Sequence, residues 1–354
     1  MGINILGIMS GTSLDGVDLA LCRFTENKNA WNYEIIEANT YPYSDGWRKR
    51  LEETSLSDAF TFASTHIAYG HLLGSYVKDF LLNHKLKADY VASHGHTVFH
   101  QPDKQISIQI GGGASIAAEC RIPTICDFRS MDVALGGQGA PLVPIGDKLL
   151  FGTFDACLNI GGFANISFDK HNQRIAFDTS PANIVLNLFA LDKGYPFDKG
   201  GLIARNGSIN QDLLTDLNNL NYYHIEPPKS LGKEWVDNVM LPLLKTYNDT
   251  TENYLRTFSE HIAFQNASII RKYQLKNVLI TGGGAKNVYL IERIKAYAPD
   301  AGLFLPDENI IDYKEALIFA FLGLLRLKQE NNCLNSVTGA QKDNCGGCIY
   351  HINP

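Results

Sequence analysis

Three short strands followed by alternating helix and strand occur twice in this chain, and that doubling limits its fold more than any other feature. Apolar runs bounded by polar turns mark strands over 3–8, 17–24 and 33–41, and again over 156–160, 165–168 and 174–177. Each trio leads into shorter strands mixed with helices: 90–92, 107–110 and 124–126 in the first half, 278–280 in the second. The halves share element order but no obvious sequence repeat. Strand–helix alternation of this kind builds α/β sheets. Phe62, His66, Tyr69, Leu73, Tyr76 and Phe80 step by four and three along one face of a long helix. Ser57-Asp58 caps its start and Asn83-His84-Lys85 ends it, with His66 a packed core residue. Leu255, Phe258, Ile262 and Ile269 mark a second long helix, and 314–327 a third. The glycine-rich break Leu135-Gly136-Gly137-Gln138-Gly139-Ala140-Pro141 is the expected interdomain crossing.

At 354 residues, with 45% hydrophobic and 19% charged side chains, the chain suits two globular domains. A net charge of −6 without a basic run argues against nucleic acid and anionic membrane surfaces. No apolar stretch is long enough for a membrane span, and the N-terminal run, with Asn4 inside it, is not read as a signal peptide. Seven scattered cysteines suit reduced thiols and a cytoplasmic location. Cys345 and Cys348 form a C-x-x-C with His351 beyond it, too few ligands for a structural zinc site.

Four glycine-rich turns follow apolar strands: Gly11–Gly16, Gly111-Gly112-Gly113, Gly161-Gly162 and Gly282-Gly283-Gly284. The first lies in G-I-M-S-G-T-S-L-D-G-V-D at 7–18, a hairpin whose tip offers N–H groups and hydroxyls to an anion. There Gly11 and Gly16 remove side chains that would stand between backbone and phosphate, and Asp15 and Asp18 stand ready for a metal ion. The chain has no G-x-x-x-x-G-K-[ST], and no G-x-G-x-x-G opens a helix in a βαβ setting. Phosphate turns in both halves instead suggest a nucleotide held between two similar α/β domains, as in the sugar kinase, actin and heat-shock ATPase superfamily.

The remaining polar clusters suit a small polar substrate. They are Ser93-His94-Gly95-His96-Thr97, Gln109, Asp127-Phe128-Arg129 with Asp132, and Asp178-Thr179-Ser180-Pro181-Ala182-Asn183. Asp178 is expected at a strand end beside a helix beginning near Pro181, where the helix dipole favours an ionised carboxylate.

Seven motifs occur in order: M-S-G-T-S-L-D-G-V-D at 9–18, S-H-G-H-T-V-F-H at 93–100, D-F-R-x-x-D-V-A-L-G-G-Q-G-A-P-L-V-P at 127–144, L-N-I-G-G-F-A-N-I-S at 158–167, P-K-S-L-G-K-E at 228–234, G-G-G-A-K-N at 282–287 and V-T-G-A at 337–340. Together they resemble the anhydro-N-acetylmuramic acid kinases, over essentially the whole chain. The resemblance implies an α/β fold of two RNase H-like domains, of the actin and hexokinase-like ATPase kind, flanking a nucleotide cleft. Residues 1–130 would form the first domain, joined by 328–354, and 131–327 the second. It implies an ATP-dependent enzyme of peptidoglycan recycling that opens the 1,6-anhydro ring of anhydro-N-acetylmuramic acid with water and phosphorylates O6. The products would be N-acetylmuramic acid 6-phosphate and ADP.

By the same resemblance Asp178 is the catalytic base. Gly11, Thr12, Ser13, Leu14, Asp15, Gly16, Val17, Asp18, Gly161, Gly162, Gly282, Gly283 and Gly284 face ATP, with Asp15 and Asp18 on Mg²⁺. His94, Gln109, Arg129 and Asn183 face the sugar. Ser180 and Ala182 stand where the family motif has glycines, and Ser130 and Met131 where many relatives carry arginines. Self-association as a homodimer is left open. Two other classes remain: a non-enzymatic actin-like ATPase, and a hydrolase, either exopolyphosphatase-like or an inverting glycosidase using Asp178.

Overall fold

The computed structural model describes residues 2–11, 14–28 and 30–352. The chain packs as two units: one runs to Phe151 and resumes at Tyr313, the other is Gly152–Asp312.

The first unit is built on β1 (Ile3–Ser10), β2 (Val17–Asn27), β3 (Ala30–Tyr41), β4 (Tyr90–Ser93), β5 (His96–Gln101), β6 (Ile106–Ile110) and β7 (Thr124–Cys126). Its main sheet has the order β7-β4-β1-β2-β3, extended beyond β7 by the C-terminal strand Cys348–Tyr350. β1, β2 and β3 form an antiparallel meander, whereas β4 joins β1, and β7 joins β4, in parallel. β5 and β6 pair only with each other.

β1 is buried through its middle because a helix covers it. At Gly7 a Cβ would stand within 2 Å, at 1.9 Å, of the Ala316 carbonyl in the helix Glu308–Lys328, so only glycine permits that approach. Across the sheet, Tyr69, Leu73, Val77 and Phe80 of the helix Ala59–His84 pack with Leu6, Ile8, Leu19 and Leu21. Asp58 caps this helix through Thr61 N at 2.9 Å, and Lys85 ends it at φ 54°, as the sequence indicated.

The second unit holds β8 (Ala156–Ile160), β9 (Phe163–Lys170), β10 (Gln173–Pro181), β11 (Asn277–Thr281) and β12 (Gly302–Phe304). Their order is β10-β9-β8-β11-β12, with the first trio antiparallel and β11 and β12 parallel to β8. Both units thus arrange five strands as third, second, first, fourth and last. The doubled element order of the sequence is a doubled topology. The helix Thr251–Lys272 buries Leu255, Phe258 and Ile262 in the core of this unit, together with Leu158 and Ile280.

The division differs from the expected one. The glycine-rich 135–141 segment lies inside the first unit, as does the helix Val143–Leu150, which packs on β3. Asp147 of that helix receives a bond from Lys314 at 3.0 Å, both side chains almost wholly buried, and this ties residues near the two boundaries into one core. Among the described residues no helix is long and apolar enough to cross a membrane.

Candidate active site

In the first unit, β1 delivers Ser10 to the mouth of its hairpin. The Ser10 hydroxyl accepts from Tyr69 at 2.9 Å and lies 2.7 Å from the Tyr43 hydroxyl, so the strand end is pinned from below. Thr12 and Ser13 lie outside the described residues. Leu14 takes φ 58°, Asp15 is exposed, and Val17 is already buried as the first residue of β2. The Asp18 Oδ1 accepts from the Thr40 hydroxyl at 2.6 Å. At Gly16 a Cβ would meet the Tyr41 carbonyl oxygen at 2.7 Å. Glycine there is already required by the approach of β3.

His94 and Arg129 come together. Arg129 donates from Nη2 to His94 Nε2 at 2.9 Å and from Nη1 to the Gly139 carbonyl at 2.5 Å. An Nε2 that accepts from a guanidinium must be the unprotonated nitrogen, so His94 is neutral with its proton on Nδ1. Burial pushes its pKa well below the ordinary value, and the Arg129 charge adds to this. Burial also lowers Arg129, to about 10. Arg129 therefore first serves His94 and the 139 turn, and any contact with a ligand falls to its remaining donors. Gln109 stands apart on β6, its Nε2 donating to Ser107 at 3.1 Å and Thr97 at 3.3 Å across the β5–β6 hairpin. Asp132 is structural: Thr338 and Asn344 both donate to it at 2.8 Å, as does Gly139 N, which explains why the 127–144 and V-T-G-A blocks go together.

The second unit gathers its candidates more tightly. Asn183 N donates to the Gly161 carbonyl at 3.1 Å and Ala182 N to that of Gly162 at 2.8 Å, so the Gly161-Gly162 turn is clasped to the helix Asn183–Leu191. The nearest neighbour of a Cβ at Gly283 would be Asn183 Nδ2, at 3.7 Å. The glycines divide by cause. At Gly282 (φ 81°) a Cβ would strike Asn159 Oδ1 at 2.7 Å, and at Gly284 it would strike Ile160 Cγ2 at 2.3 Å. At Gly161, Gly162 and Gly283 it would meet nothing nearer than 3.6 Å. Packing demands the first pair. The other three leave bare main chain that a ligand can approach.

Asp178 sits within β10, not at its end. The strand continues to Pro181 and the helix begins at Asn183, so the expected helix-dipole stabilisation is not what sets its charge. The register against β9 shifts between Asp178 and Ser180, a bulge that re-aims the side chain. Asp178 Oδ2 accepts from Leu231 N and its carbonyl from the Tyr222 hydroxyl, both at 2.7 Å. Burial pushes the carboxyl up to about 6, the Leu231 N–H opposing. Half-protonated near pH 6, it suits proton transfer near neutrality better than a surface aspartate.

No three His, Cys, Asp or Glu side chains among the described residues form a metal-holding group. The donors at the β1–β2 hairpin, Asp15 and Asp18, nevertheless suit Mg²⁺ carried on phosphates, which takes few protein carboxylates and keeps other oxygens from its ligand. All seven cysteines are free thiols.

Sequence reasoning missed three contributors. Tyr222 carries no motif at all. Leu231 lies in P-K-S-L-G-K-E but acts through its main chain. Glu315 is a carboxyl in an otherwise apolar helix run; burial pushes it up, with Asp18 adding to this and Lys314 and Arg129 opposing. An acid followed by the run Ala316–Leu325 is the signal that could have found it.

A family model described as anhydro-N-acetylmuramic acid kinase matches residues 3–352. Proteins of that description from Vibrio parahaemolyticus and Vibrio cholerae are each 34% identical, covering 98% of this chain and 98% of their own. One from Francisella tularensis subsp. novicida is 35% identical over 95% of each chain.

Proposed function

Because the chain belongs to the anhydro-N-acetylmuramic acid kinase family, we propose that it opens the 1,6-anhydro ring of anhydro-N-acetylmuramic acid with water and transfers the γ-phosphoryl group of ATP to O6. It is a phosphotransferase, and peptidoglycan recycling in the cytoplasm is its setting. Asp178 is the observation that carries this reading. A half-buried carboxyl beside a bulge and poised near pH 6 can take a proton from water as that water attacks the anomeric carbon. The C1–O6 bond breaks, and O6 takes up the phosphoryl group instead of a proton from a general acid. That arrangement explains why one carboxylate suffices where a glycosidase uses two.

Phosphoryl transfer otherwise asks for positioning and charge neutralisation. The bare main chain at Gly161, Gly162 and Gly283 supports close approach of the nucleotide to the second unit. Asp15 and Asp18 would hold Mg²⁺, which when bound neutralises phosphate charge. His94, held neutral by Arg129, and Gln109 offer directed donors and acceptors to the sugar.

Incubation with ATP, Mg²⁺ and the anhydro sugar in ¹⁸O-water tests the assignment. ADP and a sugar 6-phosphate should form in equal amounts, with label only in the anomeric hydroxyl. Free phosphate alone would indicate an ATPase or polyphosphatase, and a neutral sugar without ADP a glycosidase.

A further inference from the structure

The loop that follows Tyr222 returns to the strand bearing Asp178 and grips it at several points. From the turn Asn221–His224, the buried Tyr222 gives its hydroxyl proton to the Asp178 carbonyl at 2.7 Å. Nine residues on, Leu231 N donates to Asp178 Oδ2, also at 2.7 Å. Between them Lys229 closes the loop on itself. Its Nζ donates to the Tyr222 carbonyl at 3.0 Å and stands 4.5 Å from the centroid of the Tyr222 ring and 5.9 Å from that of Phe177, the strand neighbour of Asp178. An ammonium between two aromatic faces is held more firmly than one in water.

Resting on the assignment of Asp178 as base, we propose that Lys229 and Tyr222 are positioning residues that hold the Leu231 N–H against Asp178 Oδ2, leaving Oδ1 to take the proton from water. Among the described residues, the hydrogen bond to the Asp178 carboxylate falls on Oδ2, from Leu231 N. The bulge next to Asp178 leaves Thr179 without a β9 partner, so regular pairing is interrupted directly after Asp178 and its direction gains from a second hold. A main-chain donor suits the task, since it carries no charge and cannot exchange protons with the base.

The ionisable groups around the clamp are few. Tyr222 faces Asp178 from the turn, while Glu226 and Lys272 act on Lys229. Opposite Asp178, β9 presents Asn165 in register, and the helix Thr251–Lys272 presents Asn266, which accepts from Thr179; neither titrates. A donor to the carboxylate favours its charged form, so losing the Leu231 N–H must make Asp178 harder to ionise.

Lys229→Met and Tyr222→Phe test the clamp, with Lys272→Met as a control one charge away. In both clamp variants the acid limb of the turnover profile should rise by about one pH unit, giving an about tenfold loss below it, while both KM values stay within about twofold. Lys272→Met should leave the limb in place. In an Asp178→Asn background, Lys229→Met should cause no further loss. An unmoved limb, or a raised KM with the limb unmoved, overturns the proposal; the latter would mean Lys229 binds substrate. A readout independent of turnover follows the Leu231 amide by NMR. In the native chain its shift should track the Asp178 titration, and Lys229→Met should at least halve that response. An unchanged response overturns the clamp even if the chain phosphorylated a different sugar. Absence of turnover on the anhydro sugar, with the amide behaving as stated, would overturn only the assigned reaction.

Discussion

The same two positions of a doubled topology are used in opposite ways by the two units. Between first and second strands, the first unit has a hairpin with carboxylates at Asp15 and Asp18, the second the glycine pair Gly161-Gly162. After the fourth strand, the first unit has His94, locked to Arg129, and the second has Gly282-Gly283-Gly284. One unit therefore presents polar side chains, of which His94 and Asp18 are held by hydrogen bonds from their neighbours. The other presents bare main chain and a single poised acid. The fold supplies the position of a turn after a strand, and the local sequence decides which kind of recognition that position performs. Under the proposed function the polar side chains would read the sugar, and the bare main chain would approach the phosphates.

If the second unit carries the proton transfer, Asp178→Asn should produce the largest loss. It keeps size and the Leu231 contact but removes the acceptor, so turnover should fall about 10²–10⁴-fold with little change in either KM. Ring opening and ADP formation should fall together in a paired assay of reducing ends and ADP. Ring opening without ATP consumption by the variant would separate the two steps and break the coupled mechanism.

The first unit should answer differently. Arg129→Lys keeps a charge but loses the fork that reaches both His94 and Gly139. The sugar KM should rise about tenfold and the ATP KM should hold, since the lost contacts are worth about 1.4 kcal/mol. The neutral His94 also fixes a sign for stability. Its native pKa is depressed, so below pH 6.5 the unfolded chain takes a proton that the native chain refuses. Buried His261, lowered by burial to about 3, does the same. Each should cost up to about 1.4 kcal/mol per pH unit of acidification below 6.5. Asp178, raised to about 6, opposes them, because the native chain takes its proton first. Denaturant midpoints should therefore fall between pH 6.5 and 5, and the fall should be gentler in His261→Gln.

The glycine turns sharpen the contrast inside the second unit. Gly283→Val places its Cβ in no more than ordinary contact with Asn183 and should weaken ATP binding about tenfold in calorimetry with little change in Tm. Gly284→Val runs into Ile160 and should instead cost about 1–3 kcal/mol of stability. Equal behaviour of the two variants would erase the distinction between packing glycines and ligand glycines.

Sequence alone could not draw that distinction. Three consecutive glycines after an apolar strand read alike, and only the positions of Asn159 and Ile160 across the sheet separate them. The doubled strand order was legible because it is written in local periodicity. The unit boundaries were not, since the pairing of Asp147 with Lys314 joins residues far apart in the chain. Asp178 was legible as a residue but not in its surroundings: Pro181 suggested a helix start, whereas the strand runs through a bulge to that proline. Motif blocks whose residues act through main chain, such as Leu231, hide their role because any side chain could carry the same N–H.

The smallest effect belongs to the carboxylates of the first hairpin, and it ranks them. Asp15 is exposed at the tip, whereas Asp18 lies in β2 with Oδ1 already accepting from Thr40. Thr40 also reaches Tyr313, so Asp18 sits in a fixed hydroxyl frame and Asp15 does not. A carboxylate that is held in place loses less freedom on meeting a cation. Asp18→Asn should therefore raise the Mg²⁺ concentration for half-maximal turnover by about tenfold, and Asp15→Asn by about twofold. Titrating Mg²⁺ at saturating ATP measures both. Chelation should abolish turnover in every variant, and full turnover without divalent cation would exclude phosphoryl transfer from the metal–nucleotide complex. The reverse ranking would show that the tip, not the strand, meets the phosphates, and would place the ligand-reading surface of the first unit one turn further from β2 than its hydrogen bonds indicate.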